Sequence, residues 1–287
     1  LAVGRPCFIA ELDIEYADGS RELVVTDAAW KAAEGPRLRN SLYLGEVYDA
    51  RKEIEGWSEV GFDDAAWRPA VPAEGPSGRL VPRRAPPVEV RNSWSAAKVT
   101  EPKPGVYVAD MGGNFAGQAC FQLGEGSAGE RVTFRYGELL NQDGTVNRLT
   151  GVCGQIKRAG MGGPGAPDVA EQCDVYFRRG GGHEVFRPLF TWHGFRYVQI
   201  EGLARAPARQ DIVALPMASS LEDASVFECS SPLLNDLHMF CRNTFLSNLM
   251  GVQSDCPARE RFGYGADIAV TTEALIFNFD MRAFYAK

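Results

Sequence analysis

Residues 254–267, "SDCPARERFGYGAD", gather three carboxylates, two arginines, a proline, a tyrosine and two glycines. Asp255, Glu260 and Asp267 stand five and twelve positions apart, counted from the first. On a continuous helix, at roughly 100° per residue, that spacing would scatter them around the axis. Pro257, Gly263 and Gly265 work against such a helix in any case. A folded-back loop can instead converge the carboxylates on one pocket, with Arg259 and Arg261 limiting their repulsion. Convergent carboxyl groups push one another's pKa values apart, so that one tends to hold its proton while others stay ionised. That combination suits general-acid catalysis at a glycosidic oxygen, with the remaining carboxylates accepting hydrogen bonds from sugar hydroxyls. The same residues also read as helix caps and a solvated salt-bridge loop. Tyr264, between two glycines, reads equally as a stacking platform for a sugar ring or as a packed loop residue.

Two helices must hold this loop. In "SSPLLNDLHMFCRNTFLSNLM" Ser231 is positioned to cap a helix with Pro232 at its first position, and Leu233, Leu237, Phe240, Thr244 and Leu249 roughly follow a 3.6-residue period. A second helix is predicted from Ile268 through Thr272 and Leu275 to Phe279, and Asp280 is placed to cap a third. Their broad apolar faces, including Leu275, Ile276, Phe277, Phe279, Phe284 and Tyr285, are expected to await further helices. Upstream the period changes to two. Apolar residues alternate from Phe8 to Tyr16, reach "ADGS" and resume at Leu23 and Val25, the pattern of a hairpin. "GVYVADM", "GQACFQLGEG", "ERVTFRYGELL", "CDVYFRRGG" and "FRYVQIEGL" read as short strands between Gly-rich turns, which predicts β-sandwich architecture. Residues 72–92, rich in Pro, Gly and Arg, read as a linker, and "RAGMGGPGAP" (158–167) as a flexible surface loop. Trp57, Phe62 and Trp67 flank an acidic turn, where they either pin a loop to a sandwich core or form a sugar platform.

Composition narrows the function. A net charge of −7 without a Lys/Arg cluster disfavours nucleic acid as a partner, and no run approaches the roughly 20 apolar residues of a membrane span. The seven cysteines are scattered without C-x-x-C spacing, which argues for buried thiols over a disulfide framework or zinc site. His183, His193 and His238 form no ligand pair, and His193 reads as a strand-edge residue bonded within its sheet. No cofactor or metal is expected.

Residues 254–287 resemble the entry to the catalytic domain of bacterial α-L-rhamnosidases of glycoside hydrolase family 78, whose pattern is D-C-P-x-R-x-E-R or D-C-P-x-R-E-R followed by L-G-[WY]-x-G-D. "YVADMGGNFAGQACFQLGEGSAGERVTFRYGELLNQDGT" and "EVFRPLFTWHGFRYVQIEGL" are similar to the family's accessory sandwich, and residues 12–67 to its N-terminal domain. The resemblance implies a multidomain protein of two antiparallel, jelly-roll-like β-sandwiches followed by the first helices of a six-hairpin α/α barrel. The expected boundaries are 1–82, 83–218 for the concanavalin-like sandwich, and 219–287 for an incomplete catalytic domain. It implies inverting hydrolysis of terminal α-L-rhamnose from glycosides or polysaccharides. Glu260 falls on the general acid, Asp255 and Asp267 on carboxylates holding the sugar hydroxyls, and Arg259 on an arginine lining the pocket. Tyr264 stands where Trp is commoner, Phe262 where Leu is usual and Ala266 where Gly is usual. The second carboxylate of an inverting enzyme, roughly 6.5–9.5 Å from the acid, is expected beyond residue 287, which leaves this span inactive alone and prone to associate. The alternatives are a non-catalytic carbohydrate-binding module and a glycosidase of the same scaffold for another sugar. Oligomerisation is left open.

Overall fold

The computed structural model describes residues 7–75, 79, 81–152 and 172–286. Along the chain run β1 (Glu11–Glu15), β2 (Arg21–Val25), β3 (Lys31–Ala32), β4 (Arg37–Ser41), β5 (Gly45–Asp49), β6 (Arg68–Pro69), β7 (Val88–Val90), β8 (Trp94–Ser95), β9 (Lys98–Lys103), β10 (Val106–Gln122), β11 (Arg131–Gly137), β12 (Cys173–Phe177), β13 (Val185–Phe186), β14 (His193–Glu201) and β15 (Ile212–Ser219). The helices α1 (Pro232–Ser247), α2 (Gly265–Asn278) and α3 (Arg282–Tyr285) follow. The chain divides into two compact units, Leu1–Pro36 with Lys52–Pro82, and Arg37–Arg51 with Arg83–Lys287.

In the first unit, β1 and β2 pair antiparallel from Glu11 opposite Val25 to Glu15 opposite Arg21, the hairpin that the alternation predicts. Its turn is closed by Asp18, whose carboxylate accepts from the Ser20 amide at 2.9 Å and the Ser20 hydroxyl at 2.6 Å. A second small ladder joins β3 to β6, braced by an ion pair of 2.7 Å between Lys31 and Asp64. Phe62 and Trp67 pack edge-to-face at 5.7 Å, while Trp57 is exposed.

The second unit is built on one continuous sheet of order β4-β5-β12-β11-β14-β10-β15-β7, with β9 and β13 added to β10 and β8 to β15. Its pairings are antiparallel apart from β5 with β12, which run parallel. The two short strands predicted around "DMGGNFAG" are one strand of 17 residues whose register with β14 breaks between Asp110 and Phe115. Because of that break β10 can pair with β9 over its first half and with β15 and β13 over its second. Alternate residues of β10, β11 and β14 point inward, among them Phe121, Val132, Phe134, Phe195, Val198 and Ile200, each 1% exposed or less. Phe121 stacks on Phe134 at 4.1 Å, and Phe115 meets Phe195 at 4.5 Å. Burying such a side chain stabilises the fold by about 1.5–3 kcal/mol.

A polar cluster is sealed beside this core. His193 and Asp174 are both fully buried. Asp174 accepts hydrogen bonds from the Glu46 amide at 2.7 Å and the Tyr136 hydroxyl at 2.8 Å, and lies 2.9 Å from Nε2 of His193. Tyr136 stacks on the imidazole at 3.9 Å, and the Gln172 amide lies 3.0 Å from Nδ1. His193 is therefore interior to the sheet rather than at its edge, since β14 lies between β10 and β11.

Where β15 ends the chain turns helical. The Ser219 amide donates to the Leu249 carbonyl, and the Gly251 amide to the Ser219 hydroxyl. Pro232 opens α1 as predicted, but Ser231 makes no side-chain cap. Instead Asn235 clamps Cys229, accepting from its amide and donating to its carbonyl. Asp280 does accept from the Arg282 amide at the start of α3. Leu275, Phe279 and Phe284, expected to be uncovered, are buried together with Leu221, Leu249 and Met281. Ile276 and Phe277 are exposed, as are Leu233, Leu237 and Phe240 of α1.

Other expectations change in detail. The segment read as a linker ends in a strand, because the alternation of Val88 and Val90 lets β7 pair with the end of β15. The predicted loop at 158–167 and Cys153 lie outside the described residues. None of the described cysteines is buried: Cys7 and Cys241 are exposed and Cys120, Cys173, Cys229 and Cys256 are partly so.

The His193 cluster predicts a pH dependence. Burial pushes the imidazole below its ordinary value of 6.5, against the upward pull of Asp174. The unfolded chain therefore takes up a proton that the folded chain refuses, so stability is complete above about pH 6.5 and falls as pH drops through it. Urea midpoints between pH 7.5 and 5 should decline at up to about 1.4 kcal/mol per pH unit. His193→Gln should flatten that decline. Carboxylates held low, such as Asp110 beside Arg196, weaken the fold only nearer pH 4.

Candidate active site

Residues 254–264 form the loop between α1 and α2. Its entrance is tied to the end of α1, with the Ser254 amide donating to the Asn248 carbonyl at 2.9 Å and the Ser254 hydroxyl lying 3.1 Å from the Asn248 side chain. Asp255 then closes the loop on itself. Its amide donates to the Phe262 carbonyl and its carboxylate accepts from the Phe262 amide, both at 2.9 Å. Pro257 opens a turn that ends at Glu260, and the Glu260 amide is held 3.3 Å from Sγ of Cys256. Buried Gln253 links the loop entrance to both following helices, donating to the Thr271 hydroxyl at 2.6 Å and accepting from the Tyr285 hydroxyl at 3.0 Å.

Within this frame Asp255, Glu260 and Tyr264 come together. The Tyr264 hydroxyl donates to Oε2 of Glu260 at 3.0 Å. That bond, reinforced by the charges of Glu260 and Asp255, raises the phenol above its ordinary pKa of 10.0. Tyr264 is 42% exposed while its hydroxyl is bonded to Glu260. Asp267 sits apart, in the first turn of α2, where the helix N-terminus favours a carboxylate. Among the described residues it makes no side-chain hydrogen bond or ion pair.

The two arginines of the loop take different environments. Arg259 is exposed and forms no ion pair among the described residues. Arg261 is buried and turned toward the sheet, with its guanidinium 4.2 Å from the centre of the Trp192 ring. Its Nε donates to the Pro257 carbonyl at 3.0 Å, and Nη1 donates to the Leu42 carbonyl. Beside it the loop lies flat on β14, and a Cβ on Gly194 would stand 2.8 Å from the backbone of Pro257 and Ala258. Sequence reasoning missed this docking and the Cys256 contact. The available signal was a glycine inside an aromatic strand pattern, "WHGF", which marks a close backbone approach.

A cavity of about 440 Å³ lies at the other end of α2, lined by Asp223, Ile276, Phe279, Asp280, Met281 and Tyr285 among others. Of its three acidic residues, Asp223 and Asp280 are paired with Arg242 and Arg282, and the charge of Glu222 also acts on Arg282. Among the described residues no group of three His, Cys, Asp or Glu side chains is spaced to hold a metal ion.

Three family models match the chain in succession. They are the alpha-L-rhamnosidase N-terminal domain over residues 2–92, the bacterial alpha-L-rhamnosidase concanavalin-like domain over 100–218, and the bacterial alpha-L-rhamnosidase 6 hairpin glycosidase domain over 222–287. An alpha-L-rhamnosidase of Streptomyces avermitilis is 36% identical over 99% of this chain, and one of Formosa agariphila is 31% identical over 100% of it. The chain spans 26% and 29% of those two proteins. Among solved structures, the alpha-L-rhamnosidase from Dictyoglumus thermophilum superposes with a TM-score of 0.88 at 38% identity, covering 96% of this chain and 30% of that one. The Streptomyces avermitilis enzyme complexed with L-rhamnose gives 0.86 at 36% identity, covering 97% and 26%. With its N-terminal domain, its concanavalin-like β-sandwich and the start of a six-hairpin glycosidase domain in that order, the chain belongs to the bacterial α-L-rhamnosidases of glycoside hydrolase family 78.

Proposed function

We propose that the protein to which this chain belongs is an inverting α-L-rhamnosidase that removes terminal α-L-rhamnose from glycosides or polysaccharides, and that Glu260 is its general acid. The observation that carries the reading is the loop itself. A carboxylate is oriented by a tyrosine hydroxyl at 3.0 Å, inside a turn closed by Asp255, within the part of the chain that matches the six-hairpin glycosidase domain. Glu260 gives its proton to the glycosidic oxygen as the bond to the anomeric carbon breaks. A water molecule attacks the opposite face of the sugar, and a second carboxylate takes its proton. The reading assigns that base to a part of the glycosidase domain outside this span, so that residues 1–287 alone do not turn over. Asp255 and Asp267 accept hydrogen bonds from the rhamnose hydroxyls, exposed Arg259 lines the same pocket, and the open ring face of Tyr264 lies against the sugar.

Two substitutions in the complete protein test these roles. Glu260→Gln keeps the shape and removes the transferable proton, so hydrolysis of unactivated rhamnosides should fall by about 10²–10⁴-fold. Activated aryl rhamnosides should suffer less and rhamnose affinity should persist in calorimetry. An equal loss on both substrate classes would assign Glu260 another task.

Asp267→Asn should weaken rhamnose binding by about ten- to a hundredfold, the worth of a charge-assisted hydrogen bond, with only a small fall in the thermal midpoint from the loss of a carboxylate at the N-terminus of α2. Asp255→Ala should lose affinity and also about 1 kcal/mol of stability, because the Phe262 amide loses its acceptor. Rhamnose titrations beside thermal melts separate the two effects, and unchanged affinity in both variants would place the sugar elsewhere.

A further inference from the structure

The loop that bears Glu260 is seated on the β-sheet through the residue that follows it. Arg261 is 9% exposed, whereas its basic neighbour Arg259 is exposed to solvent. Its flat guanidinium lies over Trp192, which directly precedes β14, and its donors reach two carbonyls in different directions. One belongs to Pro257, at the start of the turn that ends at Glu260. The other belongs to Leu42, in the connection between β4 and β5, 219 residues away in sequence. A planar fork can stack and donate twice at once, and an ammonium cannot. Arg261 also has φ of 55°, the one non-glycine in the left-handed region among the described residues. That conformation is uncommon for a side-chain-bearing residue and marks a position held by its surroundings. Gly194 completes the seat, since any side chain there would meet the Pro257–Ala258 backbone.

We propose that Arg261 is a positioning residue for the general acid: locked between Trp192, Leu42 and Pro257, it fixes where the turn places Glu260 relative to the leaving-group oxygen. The proposal rests on the reading of Glu260 as the acid. It makes the β-sandwich part of the catalytic apparatus, acting through one side chain without touching the sugar. Proton transfer requires heavy-atom separations of hydrogen-bond length, and a misplacement of about 1 Å can reduce the rate by about 10²-fold. Asp267 stands on α2, outside the turn that the seat places, so rhamnose is still held when the seat is lost.

The test uses the complete protein with Arg261→Lys, Arg261→Met, Trp192→Leu and Gly194→Ala, assayed on methyl α-L-rhamnoside, a nitrophenyl α-L-rhamnoside and α-L-rhamnosyl fluoride. Methanol is a poor leaving group that needs the acid, and fluoride leaves with little help. The expected result is a fall in kcat of about 10²-fold on the methyl glycoside, a far smaller fall on the fluoride and an unchanged KM. Arg261→Lys and Trp192→Leu should combine with less than additive loss, because both remove the same seat. A merely structural role would lower the folded fraction and scale all three substrates equally, and that outcome overturns the proposal. Should Arg261→Met fail to fold, Trp192→Leu, which leaves both arginine hydrogen bonds available, reads the same ratio between methyl glycoside and fluoride. Wild-type protein inactive on every substrate would overturn the assignment of function itself, whereas active wild type with leaving-group-independent losses overturns the positioning role alone.

Discussion

One buried carboxyl group holds the second unit together. Asp174 on β12 meets the Glu46 amide of β5, the Tyr136 hydroxyl of β11 and the imidazole of His193 on β14. Four strands thus converge on a single acceptor that water does not reach. A polar group buried there without partners would cost several kcal/mol, so each strand must arrive in the register that delivers its donor. The register fixes the position of His193, and the next residue, Gly194, is the surface on which the acid-bearing loop rests. The path from the buried network to the loop of Glu260 is therefore two residues long.

Much of this was legible in the sequence where the signal is local. Period-two alternation identified the hairpin of β1 and β2 and most of the strands around the core, and Pro232 marked the start of α1. The loop of 254–264 was legible because Pro257, Gly263 and the following Gly265 work against a helix while its charges are too many for an ordinary connection. What escaped was non-local. Nothing near Val47 announces that it lies parallel to Val175, and nothing near Arg261 announces that it will meet a tryptophan and a hairpin carbonyl. Two adjacent arginine-type charges in one motif, Arg259 and Arg261, read alike in sequence and differ in the fold because only one faces the sheet. The 17-residue β10 was split in two for a similar reason. Its glycines at 112 and 113 look like a turn, yet they serve a register break inside one strand.

The loop also shows how a short segment meets two demands. In its proposed role Glu260 presents its acid to a substrate and must not wander. Backbone contacts restrain it from one side, through Cys256 and the closure of Asp255 on Phe262. The Tyr264 hydroxyl restrains the carboxylate from the other side, occupying Oε2. An aromatic residue at this position thereby offers both a ring face and an orienting donor, so replacement of the commoner tryptophan keeps the aromatic surface while adding a hydroxyl aimed at the acid.

The parallel pairing of β5 with β12 also governs the order in which the chain is able to fold. The Glu46–Asp174 contact spans 128 residues, so during synthesis at about 5–20 residues per second β5 leaves the ribosome on the order of ten seconds before its partner exists. Throughout that interval the β4–β5 hairpin has one edge of unsatisfied amides and carbonyls and no sheet to join. Tyr48 then stands exposed where it will later pack against the core. The nascent chain thus passes through a stage in which its most adhesive edge belongs to a finished hairpin waiting for its neighbour. Leu42, at the tip of that hairpin, later receives Arg261, so the loop of Glu260 docks onto a strand connection made 219 residues before it.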